Sequence, residues 1–202
     1  MQIHRSAAIA ALVLTAAALP AVAAAGDSVP SDRVSSHSHD LVAVQSADVP
    51  RSQAWGSARV KALPNGKLQV TVEAGGLAPG VHHMAHLHGF VDRVDGGCPG
   101  PARDTSGDGL ISVAEGAVDY GPVLVHLTTA GPTQAPVTFT DYPLADADGT
   151  ISYQRTFPAT VDHHRMAGRV QVVVHGIDLD GDGTVGAGPE TSIPALCGGV
   201  AD

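Results

Sequence analysis

Apolar and polar residues alternate in short runs between turn residues along most of this chain. Ala58 to Leu63 and Lys67 to Glu73 each follow a period of two, with Pro64-Asn65-Gly66 between them. A period of two sends alternate side chains to opposite faces of a strand, and Asn-Gly suits the positive φ of a tight hairpin. Further strands are predicted over Val81 to Phe90, Val123 to Thr128, Val137 to Thr140, Thr150 to Phe157 and Arg169 to His175. Helical periodicity is confined to one turn around Val161 to Ala167. With 24 Gly and 14 Pro as punctuation, the pattern predicts an all-β chain, a barrel or a sandwich.

The start of the chain follows another pattern. A basic opening with Arg5 leads into an apolar run from Ala7 to Leu19, then Pro20 and the small residues Ala21 to Ala25. This is the layout of a secretory signal peptide, residues 1–25, cleaved near Ala23 to Ala25; a membrane-spanning helix would need about 20 apolar residues. No cysteine adjoins the cleavage site, so neither a lipid nor a helical membrane anchor is expected and the mature protein is expected to be secreted. Residues 26–52, rich in Ser, Asp and Val without a sustained period, read as a flexible tail. Residues 53–202 are then one domain, long enough to bury a core.

The formal charge is −9, or −10 once Arg5 leaves with the signal. Nucleic acid and anionic membrane surfaces both require clustered Lys and Arg, so neither is expected as a partner. Cys98 and Cys197 are the only cysteines, and an even count in an exported chain most simply means a disulfide, the alternative being two buried thiols.

Eleven histidines equal the number of Lys plus Arg, which directs attention to metals. His86 and His88 are two apart, which on a strand puts both rings on one face, and His175 ends the apolar run Val172-Val173-Val174. Imidazole clusters suit copper or zinc. His82 and His83 precede the pair, and one of them is a candidate to approach the metal. His37, His39, His126, His163 and His164 are expected to be structural or solvated. Asp104, Ser106, Asp108, Leu110 (through its carbonyl) and Glu115 fall at positions of a calcium-binding loop, with Gly109 at the turn. Asp178, Asp180 and Asp182 begin a second, weaker calcium loop in which Glu190 comes one place late. Asp146-Ala147-Asp148-Gly149 reads as a turn into the next strand.

Gly76-Leu77-Ala78-Pro79-Gly80-Val81 leading to His86-Leu87-His88-Gly89, then Ala167 to His175, then Ile193-Pro194-Ala195-Leu196-Cys197-Gly198, resemble three segments of the copper/zinc superoxide dismutases. Cys98 stands where that family places its first disulfide cysteine. The resemblance implies a Greek-key β-barrel of about eight strands with long loops. It also implies copper ligands at His86, His88 and His175 and a Cys98–Cys197 bridge. It is incomplete: no histidine lies between His88 and His126, so the bridging and zinc histidines are missing and only Asp119 resembles a zinc ligand. A zinc site of the family type is therefore not expected. Thr191-Ser192-Ile193-Pro194 occupies the place of the family's substrate-guiding arginine, which weakens the steering of superoxide. Three functions follow as expectations. One is an exported copper-only protein of superoxide dismutase type. Another is a non-catalytic module stabilised by calcium, since Ala85 to Gly89 and Gly121-Pro122-Val123 also resemble chordin-type (CHRD) domains. The third is a copper carrier.

Overall fold

The computed structural model describes residues 34–92, 96–186 and 189–199. The signal-peptide reading and the first part of the tail lie outside them. Among the described residues eight strands form: β1 (Ser35–Ala43), β2 (Trp55–Leu63), β3 (Lys67–Gly75), β4 (Ala85–His88), β5 (Val123–His126), β6 (Ile151–Pro158), β7 (Gln171–His175) and β8 (Pro194–Gly198). Their spatial order is β5-β4-β7-β8-β1-β2-β3-β6, antiparallel throughout. Pairings of β3 with β6, β4 with β7 and β1 with β8 join strands far apart in sequence, which are crossed connections of the Greek-key kind. The all-β architecture is therefore as the alternation predicts, and its eight strands are as the resemblance implies.

The β2–β3 hairpin turns where expected. Asn65 and Gly66 both have positive φ, 64° and 70°, so the backbone twist of the turn matches that of the strands. Along β2 the inward residues Ala58, Val60 and Ala62 are buried, and Leu68, Val70 and Val72 of β3 face them from the next strand. These meet Leu87, Val172, Val174 and Phe157 in the main core. Burial of each such side chain contributes about 1.5 to 3 kcal/mol. The free edges of β5 and β6 are joined by side chains: Tyr153 Oη donates to Thr128 O at 3.2 Å, and Arg155 donates to Thr128 O at 2.8 Å.

β4 and β7 are buried on both faces, because residues 96–121 cover their outer side. That segment carries helix α1 (Val113–Tyr120) and builds a second small core from Val44, Ile111, Tyr120, Val173 and Cys197. Cys98 is bonded to Cys197, with Cα atoms 5.7 Å apart, so the cover is fixed covalently to β8. Among the described residues two further short α-helices follow, α2 (Val161–Arg165), where a helical turn is predicted, and α3 (Pro189–Ser192).

Three expectations are corrected. Residues 35–43 are not tail but strand β1, hydrogen-bonded to β2 and β8. Their Ser-His-Ser-His-Asp stretch alternates by exposure rather than by hydrophobicity, with Leu41 in the main core. Val137 to Thr140 is not a strand, because Thr138 and Asp141 cap each other across a 3-10 turn at Phe139–Asp141. Helix is not confined to the turn around Val161 to Ala167, because the acidic loop at 104–112 leads into α1, whose N-cap is Ser112.

Candidate metal centre

The register of β4 against β7 pairs His86 with Val173 and His88 with Gln171. Both histidines therefore share the outer sheet face with Gln171, Val173 and His175. One ring nitrogen from each of His86, His88 and His175 lies within 4.8 Å of the other two. Ring centroids are 5.1 Å apart for His86 and His175 and 5.4 Å for His86 and His88. The three histidines named as candidate ligands thus lie together on this face.

Each ring is fixed through its other nitrogen. His88 Nδ1 lies 2.8 Å from Gly121 O and His175 Nδ1 lies 2.7 Å from Ser192 O, so both Nδ1 atoms donate. His86 Nε2 lies 2.9 Å from Tyr142 Oη, which lies 2.5 Å from His126 Nδ1. The chain of donors then runs from His86 N–H to Tyr142 and from the Tyr142 hydroxyl to His126. What remains is Nδ1 of His86, Nε2 of His88 and Nε2 of His175, all buried and without a hydrogen-bond partner. Each of the three rings thus keeps one buried acceptor lone pair that no protein donor satisfies.

Burial, reinforced by neighbouring histidines, holds His86 well below the ordinary histidine range. Burial and His175 push His88 down to about 3, and burial pushes His175 down to about 4. All three rings are neutral at physiological pH, the form that ligates metals. Burial also raises the phenols of Tyr120 and Tyr142 to about 12, so both remain hydroxyl donors. Tyr120 packs on His88 with centroids 4.5 Å apart. Gly121 presents its carbonyl to His88 from a backbone with φ of 81°; a Cβ there would come within 2.8 Å of the Gly89 backbone. Tyr142, Tyr120, Gly121 and Ser192 are partners that sequence reasoning missed, since nothing in their spacing points to the histidines.

The other candidates have different places. His82 Nδ1 meets Tyr142 O, and His83 is wholly buried between the carbonyls of His175 and Ala78; neither joins the group formed by His86, His88 and His175. His126, the cross-strand partner of His86, touches the cluster through Tyr142 and its ring packing on His86. Asp119, the residue that resembles a zinc ligand, is held by Arg103 through bonds of 2.5 and 2.6 Å.

The carboxylates of the two acidic loops are arranged differently. Asp104, Asp108 and Glu115 do not gather into a three-ligand group; among the described residues only the histidine cluster and Asp178, Asp180, Glu190 do so. In the first loop Asp104 accepts from Gly107 and Gly109, and Asp108 from Leu110. Glu115 completes the capping box of α1 with Ser112 and also accepts from Thr105 and Ser106. The Ser106 hydroxyl turns to Asp104 at 3.2 Å. In the second loop Glu190, late in sequence, comes in because α3 begins at Pro189 and swings it over the loop. Asp182 turns away to Thr184, and Arg51 lies 3.6 Å from buried Asp178. Asp146 caps the turn to Thr150, as expected.

Fold and site together define a class: an antiparallel eight-stranded β domain with a buried cluster of three histidines under a disulfide-fixed cover. No family model and no curated protein matches the chain. Among solved structures, a mutant of Candida albicans superoxide dismutase 5 is similar to it, with 13% sequence identity and a TM-score of 0.41, over 81% of this chain and 88% of that one.

Proposed function

We propose that this is an exported copper protein of superoxide dismutase type in which His86, His88 and His175 hold one ion. The observation that carries the reading is a cluster of three buried histidines, each with one unpartnered ring nitrogen, that bring one ring nitrogen apiece within 4.8 Å of one another. A buried acceptor without a partner costs about 1 to 3 kcal/mol, and a single cation offsets all three at once. The affinity order at imidazole sites favours copper over zinc. Copper would supply one-electron chemistry, by which one superoxide is oxidised to dioxygen while a second is reduced and takes two protons to give hydrogen peroxide.

The chain's own residues set the limits of that chemistry. Tyr142, Gly121 O and Ser192 O orient the rings, and burial keeps them neutral. The net charge of −9 and the Thr191 to Pro194 segment in place of a guiding arginine oppose attraction of an anion. Dismutation is therefore expected to be slow.

Metal titration of the mature protein tests the reading, and one copper per chain is expected, lost in His175→Ala. Failure to retain copper against dialysis would refute it, and preferential retention of zinc would overturn the identity of the metal. A superoxide assay on the loaded protein then separates a dismutase from a copper carrier.

A second reading, a non-catalytic β module stabilised by calcium, is favoured by the gathering of Asp178, Asp180 and Glu190. Binding to the folded state alone raises stability. Millimolar calcium should then raise the unfolding temperature relative to chelator, and Glu190→Gln should remove the rise. An unchanged transition would eliminate this reading.

A further inference from the structure

We infer that the outer face of strands β1, β2, β3 and β6 is a binding surface for neutral oligosaccharides. The face lies away from the histidine cluster, which sits on β4 and β7. Strand register arranges its outward residues in rows. One row runs Asp40, Ser57, Glu73, Ser152, and the next runs Ser38, Arg59, Thr71, Gln154. A groove of about 590 Å³ opens over these rows. Trp55, 64% exposed, lies outside the groove lining but on the same face of β2, two residues before the lining residue Ser57.

Three features point to sugar. First, the indole lies across Gly75, its cross-strand partner; a Cβ on that glycine would come within 2.6 Å of the ring. An aromatic over a strand glycine supports the sheet, yet most of this ring still faces water. A large, rigid apolar surface beside a polar groove matches the C–H face of a pyranose. Second, the groove floor is a lattice of linked hydroxyl, amide and carboxylate groups. Arg59 Nε donates to Ser38 Oγ at 3.2 Å, Thr71 Oγ1 to Gln154 Oε1 at 3.3 Å, and Ser152 Oγ to Glu73 Oε1 at 2.9 Å. Such a lattice presents donors and acceptors in fixed positions, as orientation of a polyol requires. Third, Asp40 and Glu73 are balanced by Arg59 and Lys61 around the groove. Local charge is neutral on a protein of net charge −9, so a neutral ligand fits the face better than a polyanion or a cation.

Trp55 is the chain's one tryptophan, so its fluorescence reports on this surface alone. The mature protein is titrated with a cello-oligosaccharide, a malto-oligosaccharide and a β-1,3-glucan oligosaccharide, with heparin as a polyanionic control. At least one neutral probe is expected to shift the emission saturably in the millimolar range or below. Calorimetry on Trp55→Ala and fluorescence on Ser57→Arg, both exposed positions, should show affinity for that probe reduced at least about tenfold, with the melting temperature nearly unchanged in Ser57→Arg and a folded β spectrum kept in Trp55→Ala. No saturable shift with any neutral probe would overturn the inference, as would stronger binding of heparin. An emission shift on simple dilution of the protein would also overturn it, assigning the face to a second copy of the chain.

Discussion

Burying three imidazoles makes the protonation of single rings a matter of stability. His88 is pushed to about 3 and His175 to about 4, against an ordinary value of 6.5 in the unfolded chain. Between those values the unfolded state binds protons that the folded state refuses. The stability associated with each neutral ring is thus fully present above pH 6.5 and is lost as pH falls toward 4, by up to about 1.4 kcal/mol per pH unit for each ring. Urea unfolding of the metal-free protein should therefore show a clearly lower midpoint at about pH 5 than at about pH 7. Equal midpoints would contradict burial of the three rings. Tyr142 acts on the same cluster through His86. Tyr142→Phe removes the oxygen that accepts from His86 Nε2 and donates to His126, and loss of such an orienting partner typically costs 10- to 100-fold in metal affinity. Competition against a chelator of known affinity measures it, and unchanged affinity would show that the tyrosine orients nothing. How much of this was legible in the sequence follows from geometry. The shared face of His86 and His88 follows from a period of two, and His175 from its resemblance to a ligand strand. Tyr142 and Gly121 lie 56 and 33 residues from the histidines they hold, and no local pattern spans such distances.

At the scale of elements, sequence patterning succeeds where a strand has one wet and one dry face. β2, β3 and β6 alternate in burial and are found within a few residues of their predicted limits. It fails for β1, where small and polar residues line both faces and the strand exists because β2 and β8 supply its hydrogen bonds. It also fails for α1, whose start is a capping box that doubles as the end of a calcium-like motif. The same chain that reads as tail contributes Gln45, which fixes the cover over the histidines. Its buried amide donates to Ile111 O at 2.9 Å and Pro194 O at 3.0 Å, and its oxygen accepts from Ile111 N at 2.8 Å. Gln45→Ala strands these backbone groups and should destabilise the fold by about 3 kcal/mol, since each unsatisfied buried group costs about 1 to 3. Denaturant unfolding checks this, and a loss below about 1 kcal/mol would mean that water replaces the amide. The smaller change Ser112→Ala removes only the N-cap of α1 and should cost about 1 kcal/mol.

For the whole molecule, the disulfide couples the stability of the domain to the integrity of the centre. Cys197 pairs with Val173 of β7 in the sheet, and Cys98 begins the segment that carries Tyr120 and Gly121 onto His88. The bridge closes a loop with a sequence separation of 99, for which chain entropy gives about 4 to 5 kcal/mol of stabilisation. Reduction should therefore lower the unfolding midpoint strongly. Its second effect is more specific: a loosened cover leaves His88 Nδ1 without a fixed acceptor, so the ring turns more freely and the three rings no longer stay together. Metal affinity should then fall on reduction even at temperatures where the barrel remains folded. Cys98→Ser with Cys197→Ser, compared with the oxidised protein by circular dichroism and by chelator competition, separates the two effects. If the variant keeps a folded β spectrum and binds copper as tightly as the oxidised protein, the cover does not organise the centre, and the arrangement of the histidines is a property of β4 and β7 alone.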